Sequence, residues 1–232
     1  MLACRRLMVY TVYISYKTVS GLSAGRTAEI GGDILSTESK DFRFDKRASK
    51  YDGFEGKLSR KFYRLLLREV ALFPGAKMLD VGCGTGALLR SLVECCAVDA
   101  YGIDVEQAMV TEAQKKCPEM DIRLCGCADT PFEAQTFDVV IACMAYHHFP
   151  DQKGFAREAA RILKPGGCLY IADPRFPSGI RKAINGLAQR LRVAGHFETP
   201  RETSQAFRGH GFSFEGFVFD AYAQMVKLRL TE

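Results

Sequence analysis

A chain of 232 residues, 47% of them hydrophobic, suits one core-bearing domain and is too apolar for an intrinsically disordered protein. The formal net charge of +5 is uneven, +4 over residues 1–60 and +1 over the rest, so the main body lacks the concentrated charge of a dedicated nucleic-acid binder. No apolar run approaches the length of a membrane-spanning helix, and nine cysteines without zinc-type spacing point to a reducing, cytoplasmic setting with no metal site.

In chain order, residues 1–40 stand apart. Two early arginines, a short apolar run and small residues give them a faint likeness to a secretory leader. Tyr, Thr and Ser interrupt the run, so the segment reads as a poorly ordered extension outside the fold. Regular organisation starts near residue 41. Leu58, Phe62, Leu65, Leu66, Val70 and Phe73 recur at helical spacing over 57–73, before Pro74 and Gly75 stop the helix. Strands are predicted at 77–82, 99–104, 121–126, 136–145 and 167–173, with helices at 87–97, 106–117 and 151–164 between them. The continuous apolar run "VVIACMA" fits a strand buried on both faces.

After the fifth strand, "SGIRKAINGLAQRLRVAG" (178–195) places Ile180, Ala183, Ile184, Leu187 and Leu191 among Arg181, Lys182, Arg190 and Arg192, and no acid occurs between Pro174 and Phe197. This reads as a basic amphipathic helix. Its plain role is a packed helix with a solvated basic face; its functional alternative is a lid, or a weak surface contact with an anionic or membrane-dissolved acceptor. Two β-rich runs, 212–220 and 222–230, close the chain as a hairpin. The pattern predicts an α/β fold: a Rossmann-like, seven-stranded, mostly parallel sheet with helices on both faces and a C-terminal antiparallel hairpin.

The chemistry concentrates in "LDVGCGTG" (79–86). Gly82, Gly84 and Gly86 fall in the first strand-to-helix turn, where bare backbone lets a ligand approach and the helix N-terminus favours a negative group. Eighteen residues past Gly86, Asp104 ends the second strand, where a carboxylate can accept both hydrogen bonds from a ribose diol. A nucleoside-type ligand follows. The spacing G-x-G-x-G departs from the dinucleotide pattern G-x-G-x-x-G and argues against NAD.

"LDVGCGTG" resembles motif I of class I S-adenosylmethionine-dependent methyltransferases. "YGIDVEQAM", "TPFEAQTFDVVIACMAYHHFPD" and "ARILKPGGCLYIAD" resemble their later motifs, in the same order, and "FDKRASKYD" (44–52) resembles the N-terminal approach of the ubiquinone and menaquinone C-methyltransferase branch. The likeness covers roughly residues 41–232, taken as the methyltransferase domain.

The resemblance implies S-adenosylmethionine as cofactor and a small-molecule methyl acceptor, with no nucleic acid. It implies that Gly82, Gly84 and Gly86 line the methionine half, and that Asp80 holds the amino end. Asp104 binds the ribose hydroxyls, or caps the helix starting near Glu106. Val105 packs on adenine, and Met144 reaches the cofactor through backbone. After the third strand the family's acidic adenine contact falls on Gly126 without a gap, or on Cys127 with one residue deleted; Asp129 and the Cys127–Ala128 backbone are the favoured contacts. Tyr51 is expected near the cofactor carboxylate, or is an ordinary half-buried aromatic. His147 or His148 is expected as a base where the acceptor must lose a proton, with a structural role as the alternative. Rival readings are an RNA or protein methyltransferase, and a catalytically inactive cofactor-binding partner protein.

Overall fold

The computed structural model describes residues 54–191 and 195–231; the extension read over 1–40 and the expected contact of Tyr51 lie outside these residues. Helix α1 (Phe54–Glu69) precedes β1 (Lys77–Val81), α2 (Ala87–Cys95), β2 (Asp99–Asp104), α3 (Gln107–Lys116), β3 (Asp121–Leu124) and β4 (Phe137–Cys143). A 3₁₀ turn (Tyr146–His148), α4 (Gln152–Ile162), β5 (Leu163–Pro174), α5 (Ser178–Leu191), α6 (Pro200–Phe207), β6 (Phe212–Asp220) and β7 (Ala223–Leu230) follow. The seven strands form one sheet in the order β3-β2-β1-β4-β5-β7-β6, with β7 antiparallel to both of its neighbours.

Period-two side-chain alternation sets the two faces. On β1, Met78 packs with the α1–α3 side while Leu79 and Val81 pack with the α4 and α6 side; on β4, Val139 and Ile141 go one way and Val140 and Ala142 the other. Helix α1 buries Phe62, Leu65 and Leu66 on the first face, and α4 buries Phe155, Ala159 and Ile162 on the second. Asp138, the half-buried break in β4, accepts from the Lys77 N–H at 2.9 Å and from Lys164 Nζ at 2.8 Å, which holds its carboxyl below the usual carboxylate range.

Some boundaries differ from the sequence reading. The helix expected over 151–164 stops at Ile162, because Leu163 is already extended and paired with Phe137, and Gly166 takes a left-handed φ of 79°. Its start is fixed by Asp151, whose side chain accepts from the Gly154 N–H. In β6 the pairing with β7 shifts between Phe214 and Gly216, a bulge that period-two reading does not reveal. Helix α5 is described from Ser178 to Leu191 and buries one residue, Ile184. Helix α6 starts with a capping box of Thr199 and Glu202 and carries Pro200 in its first turn.

Candidate functional site

Strand order reverses between β1 and β4, so the crevice beyond their carboxyl ends is where this architecture takes a ligand. The β1–α2 loop crosses toward β2: the N–H groups of Gly82 and Cys83 both donate to Ile103 O, at 2.8 and 3.0 Å. Gly82 has φ 77°, and a Cβ there would lie 2.5 Å from the Ala145 Cβ, so only glycine fits. A Cβ on Gly86 would press on Cys117 and Ala113 of the α3 end. Gly84 differs, because a Cβ on it would meet nothing within 4 Å. Two glycines thus serve protein packing, and the middle one borders open space.

Asp104 ties this loop to the end of β2. Its Oδ2 accepts from the Gly84 N–H and its Oδ1 from the Glu106 N–H, both at 2.9 Å. The second bond turns the chain into α3, although the capping position itself is Glu106 and makes no side-chain cap. Burial raises the Asp104 carboxyl, opposed by the amide hydrogen bonds. Asp80 is 1% exposed and its Oδ1 is buried with no hydrogen-bond partner. Burial, reinforced by the charge of Asp104, pushes its pKa up to about 8. Val105 stands at the lip, 69% exposed.

The loop after β3 joins the same edge through the Cys125 N–H, which donates to Asp104 O at 2.9 Å. Gly126 and Asp129 are exposed, Ala128 is half-buried, and the Cys127 side chain is buried in the core, its thiol pushed up to about 11 by that burial. This turn therefore offers backbone and Asp129, with the Cys127 sulfur withdrawn. Thr130 anchors its far end, donating its N–H to Glu158 Oε1 at 2.9 Å.

After β4, Met144 takes a positive φ of 57° while its N–H donates to Ala172 O at 2.8 Å. The two histidines then part. His147 is buried: Asp173 Oδ2 accepts its main-chain N–H at 3.0 Å, and Asp173 Oδ1 lies 2.8 Å from its Nδ1. Its ring stacks on Phe197 with centroids 4.6 Å apart, and its carbonyl accepts the His196 N–H at 2.7 Å. His148 has an exposed surface but is closely surrounded by protein atoms. That crowding, with the His147 ring 4.0 Å away, pushes its pKa well below the ordinary imidazole value, a shift that solvent access moderates.

The glycine loop, Asp80, Asp104, Val105, the 125–129 turn, Met144 and the two histidines thus gather along one sheet edge. Sequence reasoning gave no role to Asp173, Phe197 or Ala145, which hold this edge together. Asp173 stood in plain view as the acid ending "YIAD", but its partner lies on another strand's loop.

A buried carboxylate oxygen without a partner, a second carboxylate nearby and a glycine facing open space suit a ligand carrying an ammonium group and a diol. The residues present therefore fit S-adenosylmethionine.

Comparisons with known proteins agree. The family profile described as a methyltransferase domain matches residues 79–171. Nocamycin O-methyltransferase of Saccharothrix syringae is 32% identical over 195 residues, covering 77% of this chain and 68% of that protein. Demethylmenaquinone methyltransferase of Chlorobaculum parvum is 31% identical over 160 residues, covering 64% of this chain and 66% of that protein. The crystal structure of a SAM-dependent methyltransferase from Aquifex aeolicus shares the fold with a TM-score of 0.64 at 20% identity, covering 81% of this chain and 98% of that one. This chain thus spans about two thirds of the length of each of these two relatives.

Proposed function

Because this chain belongs to the class I S-adenosylmethionine-dependent methyltransferases, we propose that it methylates a small organic acceptor, in the cytoplasm. The near-neutral main body supports a small acceptor over RNA, as do the relatives named for nocamycin and demethylmenaquinone.

The observation that carries the site assignment is the unpartnered Asp80 oxygen beside the open face of Gly84. Bound S-adenosylmethionine supplies a sulfonium methyl that is already an activated electrophile. The chain's own task is to hold, orient and exclude water. Asp80 accepts the ammonium end and becomes ionised in doing so. Asp104, already oriented by two backbone N–H groups, accepts the ribose hydroxyls. Gly82, Gly84 and Gly86 present backbone to the methionine half, Val105 covers adenine, Met144 adds a backbone contact, and Cys127, Ala128 and Asp129 edge the adenine ring. His148 is the exposed imidazole of the pair and is kept neutral, so we assign it the acceptor's proton where one must leave. His147, held by Asp173, fixes the floor against which His148 stands.

Calorimetric titration tests this reading. Micromolar binding of S-adenosylmethionine and S-adenosylhomocysteine with none of NAD is expected. Absence of binding would remove the site assignment. Tight binding without turnover on any small acceptor would leave an inactive cofactor-binding protein.

A further inference from the structure

Two surface features outside the methyl-transfer site meet at Arg175 and Phe176. On the edge strand β6, Phe214, Phe217 and Phe219 are 44%, 50% and 41% exposed, and their rings form a row with successive centroids 6.2 and 4.9 Å apart. The bulge between Phe214 and Gly216 brings all three to one face of the sheet. At the end of the row the Arg175 guanidinium lies 4.1 Å from the Phe219 ring centroid. Beside Arg175, Phe176 packs with Phe197, Ile184, Ile180 and Tyr222, which seats the first half of α5. The same helical stripe continues past Ile184 to Leu187 and Leu191, which are 41% and 37% exposed. Three exposed rings in a row and two exposed leucines on one helical stripe call for an occupant in a way that scattered single residues do not.

The charges around it choose that occupant. No acid occurs between Pro174 and Phe197, and among the described residues no carboxylate pairs with Arg175, Lys182 or Arg190. Of the acids flanking these elements, Glu202 pairs with Arg181, Asp220 with Lys61 and Glu215 with Arg229, while Glu198, next to Phe197, keeps its Oε2 buried. A second copy seated on this face would set uncompensated cations against cations. An anionic lipid surface complements both halves of the patch, taking phenylalanine and leucine side chains into the headgroup–acyl boundary and cations over the headgroups.

We propose that the β6 phenylalanine row and the outer half of α5 form a face that seats the protein on an anionic membrane surface. Helix α5 follows the carboxyl end of β5, the sheet edge on which the methyl-transfer site opens, so docking brings that edge beside the bilayer. The inference goes beyond the methyl-transfer reading and does not depend on it.

The test is co-sedimentation of the full chain with phosphatidylcholine vesicles, with and without phosphatidylglycerol. S-adenosylmethionine binding and the thermal midpoint are measured on every variant as a check of the fold. Binding is expected only to the anionic vesicles and weakens as salt rises toward about 1 M. Each cation near such a surface counts for about fivefold in partitioning, so Lys182→Glu with Arg190→Glu lowers binding by at least about tenfold. Leu187→Glu, and separately Phe217→Ser with Phe219→Ser, also release the protein while cofactor binding stays intact. Failure of the folded wild type to bind anionic vesicles overturns the proposal. So does binding that these variants leave unchanged, or a wild-type dimer that Leu187→Glu splits, since a second copy would then cover the face. Vesicle binding without cofactor binding would retain this inference and remove the site assignment instead.

Discussion

The cofactor edge and the segment after β5 are built by opposite means. Around Asp80, Gly82 and Asp104, backbone hydrogen bonds lace the β1 and β3 loops to β2, a glycine contact locks the β4 turn in place, and the half-buried Asp104 carboxylate ties the glycine loop to the end of β2. Helix α5 buries Ile184 alone, and is fastened by Asn185, which exchanges two hydrogen bonds with the Phe197 main chain, and by Arg181 on Phe197 O and Glu202. A fully buried leucine or phenylalanine contributes about 2 kcal/mol, so α1 and α4, with several each, are anchored far more firmly than α5. The lesson is that the strand ends around Asp80 and Asp104 are fixed by the sheet itself. The segment after β5 hangs on a few polar bonds and one aromatic stack, where replacement is cheap.

The sharpest way to break that contrast is Gly82→Ala. The added Cβ meets Ala145 and the backbone must hold a positive φ, so a loss of roughly 3 kcal/mol is expected in denaturant unfolding; a mutant of wild-type stability would show that the two loops are not locked. Asp173→Ala comes next. It strands the His147 N–H in the interior, with a cost of about 2 kcal/mol and loss of the ordered His147 ring signal by NMR. Asp104→Ala should weaken S-adenosylmethionine by more than about 1 kcal/mol, measured by calorimetry, because the acid is assigned two hydrogen bonds to the ribose.

Asp80 gives a pH signature. Its carboxyl is raised, so unliganded stability from this group is present in acid and declines as pH climbs through about 8. A bound ammonium favours the carboxylate, so binding expels a proton and affinity increases with pH until about 8, then levels off. Asp80→Asn flattens both profiles. A wild-type affinity with no pH slope below 8 would sink the assignment. The smallest effect belongs to α5: Leu187→Ser should change stability by no more than about 0.5 kcal/mol, and a larger loss would mean the outer half of α5 is packed after all.

Much of the cofactor edge was legible in the sequence because its signals are local. A five-residue apolar strand, a glycine turn and an acid ending the next strand lie within one βαβ unit, and the expected span 99–104 is the observed strand. Gly82 against Ala145 and His147 against Asp173 were not legible, because each pair joins different strand ends that only the sheet order brings together. The helix expected over 178–195 was visible from its apolar spacing, but periodicity cannot say that Leu187 and Leu191 stay exposed among the described residues. The phenylalanine row was hidden by the bulge, since strict alternation sends Phe214 and Phe217 to opposite faces.

The Gly82–Ala145 contact also constrains how this sequence can drift. Any side chain at position 82 needs room that Ala145 occupies, so the substitutions have an order: Ala145→Gly must come first, and the reverse path passes through a damaged intermediate. The β1–α2 loop and the turn carrying both histidines are therefore coupled through this contact. An engineer who transplants either into a related scaffold should move them together.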